Sequence, residues 1–241
     1  MNILDVEQGS AEWHLARTGL VTGSKMADVL AVLKRGGESA ARFNYRIQIV
    51  TEILTGQPVW DGYLSPEMQW GTDNEPFARA AYEMEEDTSV DQVGMVLHES
   101  IPRMGGSPDG LISDDGGVEI KCPKTTTHVK WMLAGTIPEE HEAQMLFYLS
   151  CTGRKWWDFV SFDPRLPKAL QLFTIRMGRD EERIAAVEAA VVQFNAEVDQ
   201  MIEKLKALCG SDFTIPERKP VESEFGITDE EIRSIYPAFN A

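Results

Sequence analysis

The stretch from Gly105 to Pro123, GGSPDGLISDDGGVEIKCP, limits this chain to a small set of folds. Apolar runs flank a turn made only of Ser113, Asp114, Asp115, Gly116 and Gly117, the pattern of an antiparallel hairpin. The first arm is Asp109-Gly110-Leu111-Ile112; the second is Val118-Glu119-Ile120-Lys121-Cys122, ended by Pro123. Alternation in the second arm predicts Val118, Ile120 and Cys122 on one face, with Glu119 and Lys121 on the other. Pairing the arms brings Asp109 back beside Glu119. Two carboxylates and one ammonium then converge at a strand end.

Carboxylates placed so closely repel each other unless a proton or cation lies between them, and hard oxygen ligands suit Mg²⁺ or Mn²⁺. Such an ion activates water and stabilises charge on a phosphoryl group, while a neighbouring lysine orients that water or offsets the developing charge. The spacing Asp-x9-Glu-x-Lys resembles the PD-(D/E)xK nuclease motif, with Pro108-Asp109 as its PD and Glu119-Ile120-Lys121 as its ExK. A short pattern of this kind also occurs on ordinary surface hairpins. The Gly-Ser-Pro-Asp-Gly lead-in and the strand-turn-strand context favour the nuclease reading.

At 241 residues and 43% hydrophobic content, the chain suits one large domain, or one domain and a tail, with a substantial core. Its formal net charge of −16 argues against non-specific coating of nucleic acid or of an anionic membrane. It leaves room for an enzyme whose DNA contacts are confined to a cleft or channel. Cys122, Cys151 and Cys209 are scattered and form no C-x-x-C pair, so neither a disulfide framework nor a cysteine metal site is expected. The N-terminus is not a signal sequence, and no run of about 18 apolar residues is present. A soluble, cytoplasmic protein with no membrane partner is expected.

Several elements are legible along the chain. Ser10 caps a short helix that ends before Gly19, and Met26–Leu33 has helical spacing, which places Arg17 and Ser24 near helix ends suited to a phosphate. Phe43–Leu54 reads as an amphipathic helix ended by Gly56, and Pro66–Glu83 as a second long helix, with Glu75 just before a break or helix start at Pro76. Val90–Leu97 and Ile101–Met104 read as strands, and Thr125–Leu133 as a helix with Val129, Met132 and Leu133 as its apolar face. A helix from Pro138 carries Gln144, Met145, Tyr148 and Cys151. Strands follow over Arg154–Val160 and Leu170–Met177, then one long amphipathic helix over Arg179–Leu208. The four histidines share no ligand spacing and read as packing or surface residues; Trp156-Trp157 reads as half core, with base stacking as the alternative. After Leu208 the composition shifts to an irregular tail, in which Thr228-Asp229-Glu230-Glu231 is a capping box before Ile232, Ile235, Tyr236 and Phe239. That segment suits docking to a partner and packing onto its own domain equally well.

The order of elements is α/β: a helical N-terminal part, a central mixed β-sheet flanked by helices, and a long C-terminal helix. From about Val6 to Leu208 the chain resembles the lambda exonuclease branch of the PD-(D/E)xK nucleases, the YqaJ-type viral recombinases. The residues that carry the resemblance are Glu12-Trp13-His14-x-x-Arg17-x-Gly19-x-x-Thr22-x-Ser24, then Trp70-Gly71-x-x-x-Glu75, Gly106-Ser107-Pro108-Asp109-Gly110-Leu111, Glu119-Ile120-Lys121-Cys122-Pro123 and Gln144. The resemblance implies an exonuclease domain over residues 1–208, a 5′→3′ exodeoxyribonuclease that digests one strand of duplex DNA to 5′-mononucleotides and leaves a 3′ overhang. It implies two Mg²⁺ ions per site (Mn²⁺ being an alternative), held by Asp109, Glu119 and the main-chain carbonyl of Ile120. Lys121 would orient the attacking water, and Glu75 would help bind or deprotonate it. Arg17, Ser24, Ser107 and Gln144 would hold the 5′-phosphate, and Met68 would be an apolar wedge that splits the duplex. A homotrimeric ring around the DNA, with Lys25, Lys34, Arg35 and Arg42 as candidates for its channel, and a single-strand annealing protein as partner are implied too, in phage or prophage recombination within a bacterial host. The tail, 209–241, lies outside the resemblance. A restriction or repair endonuclease of the same superfamily, and a non-catalytic DNA-end scaffold, remain alternatives on the same motif.

Overall fold

The predicted hairpin forms and lies at the centre of the molecule. In the computed structural model, which describes residues 1–33, 37–59, 65–209 and 213–215, strand β4 (Gly110–Ile112) pairs antiparallel with β5 (Gly116–Lys121), Gly110 opposite Val118. Strand β5 continues the sheet by pairing parallel with β6 (Trp156–Phe162), which pairs antiparallel with β7 (Leu172–Gly178). The result is a mixed sheet of order β4-β5-β6-β7. A parallel pair needs a crossover, supplied here by helices α5 (Thr125–Ala134) and α6 (Glu139–Thr152). A smaller antiparallel sheet joins β1 (Asn2–Leu4), β2 (Met95–Leu97) and β3 (Gly105–Gly106).

Both faces of the larger sheet are covered. On one, helix α4 (Pro66–Glu86) sets Ala78 and Tyr82 against Val118, Ile120 and Cys122, the face predicted to be apolar. On the other, α6 and the long helix α7 (Glu181–Cys209) bury Phe147, Phe194 and Val198 with Trp157 and Phe159. Glu119 faces this second core, so the arm is buried on both sides. Close packing needs the glycines of the turn: a Cβ at Gly117 would lie 2.4 Å from the Trp157 ring. Trp157 is fully buried, in line with its reading as core.

The N-terminal third is helical, as expected. Helix α1 (Ala11–Arg17) starts at Ser10, whose side chain accepts from the Trp13 N–H. A 3₁₀ turn (Gly23–Lys25) then leads into α2 (Met26–Leu30). Helix α3 (Ala40–Thr55) is capped by Ser39 and closed by Gly56 at φ +63°.

Helix α4 is one helix through Pro76, as expected, and the break allowed before Pro76 does not form, because the Thr72 carbonyl that loses its partner lies on the exposed side while Ala78 and Tyr82 anchor the buried one. Four expectations are corrected. Only Met95–Leu97 of the Val90–Leu97 run is a strand; Asp91 instead exchanges two backbone bonds with Leu111, at 2.8 and 2.9 Å. Ile101–Arg103 is a turn with Arg103 at φ +56°, fastened by its guanidinium to Asn195 and Asp199 of α7, and only Met104 of the predicted strand pairs, bridging to Val21. The strand predicted from Leu170 begins at Leu172, since Lys168–Leu170 is a 3₁₀ turn. Finally, α5 turns Leu133 (83% exposed) outward and buries His128, whose ring bonds to Ser161 Oγ at 2.6 Å and to the Leu170 carbonyl at 2.9 Å. Satisfying that buried imidazole sets the face of the helix.

Helix α7 buries Ile184, Val187, Val191, Phe194, Val198 and Ile202 as its spacing predicted. Beyond it, Phe213 and Ile215 pack partly against the main core. The predicted capping box at Thr228, the loop residues Trp60, Tyr63 and Leu64, and the basic residues Lys34 and Arg35 lie outside the described residues. Among the described residues no helix is long and apolar enough to cross a membrane.

Candidate active site

The register of β4 and β5 does what the sequence required: it carries Asp109, one residue before β4, to the level of Glu119. Asp109 Oδ2 accepts a 2.6 Å hydrogen bond from the Ile120 N–H. The Glu119 side chain is fully buried, with Oε1 ion-paired to Lys121 Nζ and Oε2 without a hydrogen-bond partner. Glu75 reaches this cluster from the middle of α4, its Oε1 held by Arg79 Nη2 at 2.8 Å. A cleft of about 350 Å³ opens over the group, walled by Met68, Gly71, Glu75, Asp109, Lys121 and Trp131.

Crowding shows in the acidities. Burial, then the Asp109 charge, pushes the Glu119 carboxyl up to about 8. Burial raises Asp109 as well, and burial and Asp109 raise Glu75. Burial works against the Lys121 ammonium, but Glu119 and Asp109 outweigh it and hold Lys121 above its ordinary value. The Lys121 ammonium and the Arg79 guanidinium thus serve three carboxylates, and one of their buried oxygens has no partner. A divalent cation between Asp109 and Glu119, also reached by the Ile120 carbonyl, fits that deficit. Among the described residues no three His, Cys, Asp or Glu side chains converge as a ligand group.

The residues expected to hold a terminal phosphate divide into two parts. Arg17, Ser24 and Ser107 share partners: Arg17 Nη2 contacts Thr22 Oγ1 at 3.5 Å, Ser24 Oγ lies 3.4 Å from the same hydroxyl, and Arg17 and Ser107 both contact Trp13. Arg17 also lines a second cleft, of about 220 Å³, with Thr22, Lys25 and Tyr45. Gln144 is buried on α6 and hydrogen-bonds His141, on the Lys121 side of the site. Tyr148, one turn after Gln144, joins the parts by donating to the Ser107 carbonyl at 2.7 Å. Met68 is 56% exposed at the rim of the first cleft.

Two of the basic channel candidates have other engagements. Lys25 pairs with Asp28, and Arg42 bonds to Glu38 and Glu197, tying α3 to α7. His141 packs on Phe159, in keeping with a packing residue, and it also lies beside Lys121 and Gln144; burial followed by the Lys121 charge lowers it to about 3. Its signal was present in the sequence: His141, Gln144 and Tyr148 recur at i, i+3 and i+7, three polar groups on the inward face of one helix. Trp13 was noted only as part of a motif, and its contacts appear only in the fold.

Residues 12–155 match the family model described as YqaJ-like viral recombinase domain. The chain is similar to an alkaline exonuclease (LHK-Exo) from Laribacter hongkongensis, with 42% identity and a TM-score of 0.76 over 83% of this chain and 98% of that one. A second structure of LHK-Exo, in complex with dAMP, matches at 42% identity and a TM-score of 0.77 over the same shares. A phage related exonuclease from Haemophilus somnus 129PT, 17% identical with a TM-score of 0.57 over 77% of this chain and 96% of that one, shares the fold. No curated protein matches the sequence.

Proposed function

The chain belongs to the YqaJ-like viral recombinase family, and from that membership we propose that it is a Mg²⁺-dependent, processive 5′→3′ exonuclease of double-stranded DNA. Its products would be 5′-mononucleotides and a 3′ single-strand overhang, the substrate for phage-type recombination by strand annealing. The observation that carries this reading is the buried hairpin set of Asp109, Glu119 and Lys121 opening on a cleft. The bound dAMP of the Laribacter relative, a deoxynucleoside monophosphate, is the kind of product such a site releases.

A divalent cation, which Asp109, Glu119 and the Ile120 carbonyl would hold, would supply a Lewis acid and a water of lowered pKa. Two such ions per site are proposed. The remaining work falls to the chain. Lys121 donates to the attacking water and offsets charge that gathers on the phosphoryl oxygens. Glu75, raised by burial, accepts a proton from that water while Arg79 holds the carboxylate in place. Arg17, Ser24, Ser107 and Gln144 present a guanidinium, two hydroxyls and an amide to the 5′-phosphate, which sets where the next phosphodiester lies. Met68 at the cleft rim parts the terminal base pair.

In this reading residues 1–208 form the nuclease domain and 209–241 a segment that docks a partner. A homotrimeric ring threaded by DNA reconciles processivity with a net charge of −16, since the acidic exterior repels DNA that is not in the channel. The annealing protein that coats the overhang would be the partner, in the cytoplasm of a bacterial host. A monomer mass by sedimentation at micromolar concentration would contradict the ring.

The activity is tested with linear and closed-circular duplex, in Mg²⁺ and in EDTA, comparing wild type with Lys121→Ala. Digestion of linear DNA alone, abolished by EDTA and by the substitution, is expected. Nicking or linearisation of the circle would indicate an endonuclease, and binding of ends without turnover a scaffold.

A further inference from the structure

Trp13 makes two contacts that no phosphate ligand makes for itself. Its indole Nε1–H donates to Ser107 Oγ at 2.6 Å, across 94 residues of sequence. Its ring lies under the Arg17 guanidinium, with Cζ 4.4 Å from the centroid. The ring is itself held, since Ser10 accepts from the Trp13 main-chain N–H and the His14 imidazole meets the indole edge to face at 4.9 Å.

The chemistry of these contacts is specific. Indole is a donor only, so its bond commits a lone pair of Ser107 and leaves the hydroxyl proton to be given elsewhere. A hydroxyl that accepts one bond is the better donor in the next. Stacking on the ring face fixes the guanidinium plane and leaves the N–H edges open to an oxyanion. The 3.5 Å contact from Arg17 to Thr22 is long enough for an anion to replace it. No other side chain type joins a broad π face to a donor-only edge. Phenylalanine keeps the face and loses the donor.

We infer that Trp13 is a positioning residue for recognition of the DNA end, holding Arg17 and the Ser107 hydroxyl so that both donate to one terminal phosphate. The inference rests on the reading of Arg17, Ser24, Ser107 and Gln144 as the end-phosphate site, and it adds the group that assembles two of them. Its effect falls on discrimination between ends and not on phosphodiester chemistry, because Trp13 touches neither Asp109 nor Glu119.

The test is kcat/KM on duplexes with 5′-phosphorylated and with 5′-hydroxyl ends, for wild type, Trp13→Phe, Ser107→Ala and the double variant. One lost hydrogen bond, of about 1 kcal/mol, lowers the phosphate-to-hydroxyl ratio of Trp13→Phe about fivefold. In the Ser107→Ala background the same substitution should lower the ratio no further. Equal losses on both ends would mean a structural role and overturn the inference, as would an unchanged ratio. A wild type that does not distinguish the ends would remove the end-phosphate site itself, a separate and recognisable failure. Should Trp13→Phe not fold, wild type with ¹⁵N-labelled tryptophan decides. The Trp13 indole N–H resonance should shift when a 5′-phosphorylated duplex is added in Ca²⁺, and shift less with the hydroxyl duplex; no difference between the two would overturn the inference.

Discussion

The Tyr148 hydroxyl donates to the Ser107 carbonyl at 2.7 Å, which fastens helix α6 to the loop that delivers Asp109 two residues later. Tyr148 is itself buried against Trp157, with ring centroids 5.6 Å apart. Tyr148→Phe leaves that carbonyl unpaired in a closed environment, at a cost of about 1–3 kcal/mol. Urea melts should show the loss. The rate should fall on hydroxyl as well as phosphorylated ends, in contrast to Trp13→Phe, because the loop that carries Ser107 also delivers Asp109.

Metal-free protein should lose stability as pH rises. Glu119 sits near 8 in the folded state against an ordinary 4.5, so between those values the folded chain binds more protons than the unfolded one. Stability then decreases with pH across that window. Mg²⁺ replaces the proton, so it should raise the melting temperature more at pH 8.5 than at pH 6. Calorimetry with and without EDTA measures this, and an equal shift at both values would contradict it.

His141 predicts the opposite slope on the acid side. Burial and the Lys121 charge lower it from 6.5 to about 3, so the folded chain keeps a neutral imidazole where the unfolded chain is protonated. Its stabilising contribution is present above about 6.5 and is lost as pH falls toward 3. His141→Phe should flatten the acid limb of the stability profile, read by thermal melts from pH 4 to 7.

Met68 is tested separately from chemistry. It is 56% exposed, so Met68→Ala should change stability by less than about 0.5 kcal/mol. If it parts the terminal pair, the substitution slows digestion of blunt duplex and spares a duplex whose end is already frayed by mismatches. Equal rates on both substrates would leave Met68 as a rim residue only.

The hairpin and the convergence of Asp109 with Glu119 were legible because turn residues, alternation and the position of Asp109 all specify one register. The long helix α7 was legible for a similar reason: six buried positions repeat at helical spacing. Failures occurred where a single tertiary contact outweighed a local signal. Buried hydrogen bonds of His128 rotated α5 away from its apolar stripe. At the site, the carboxylates could be named from a motif, but not the fact that Glu119 is buried on both faces. Trp13 and Tyr148 act through contacts with Ser107, some 94 and 41 residues away in sequence, which no local pattern reports.

The most direct measurement uses a linear duplex with one 5′-phosphorylated and one 5′-hydroxyl end, each strand labelled, resolved by length during digestion in Mg²⁺. Wild type should shorten the phosphorylated strand from its 5′ end and release mononucleotides, leaving its complement whole as a 3′ overhang. Arg17→Ala should lose the preference for the phosphorylated end while still cutting. Shortening from 3′ ends, or fragments cut from within, would contradict the account.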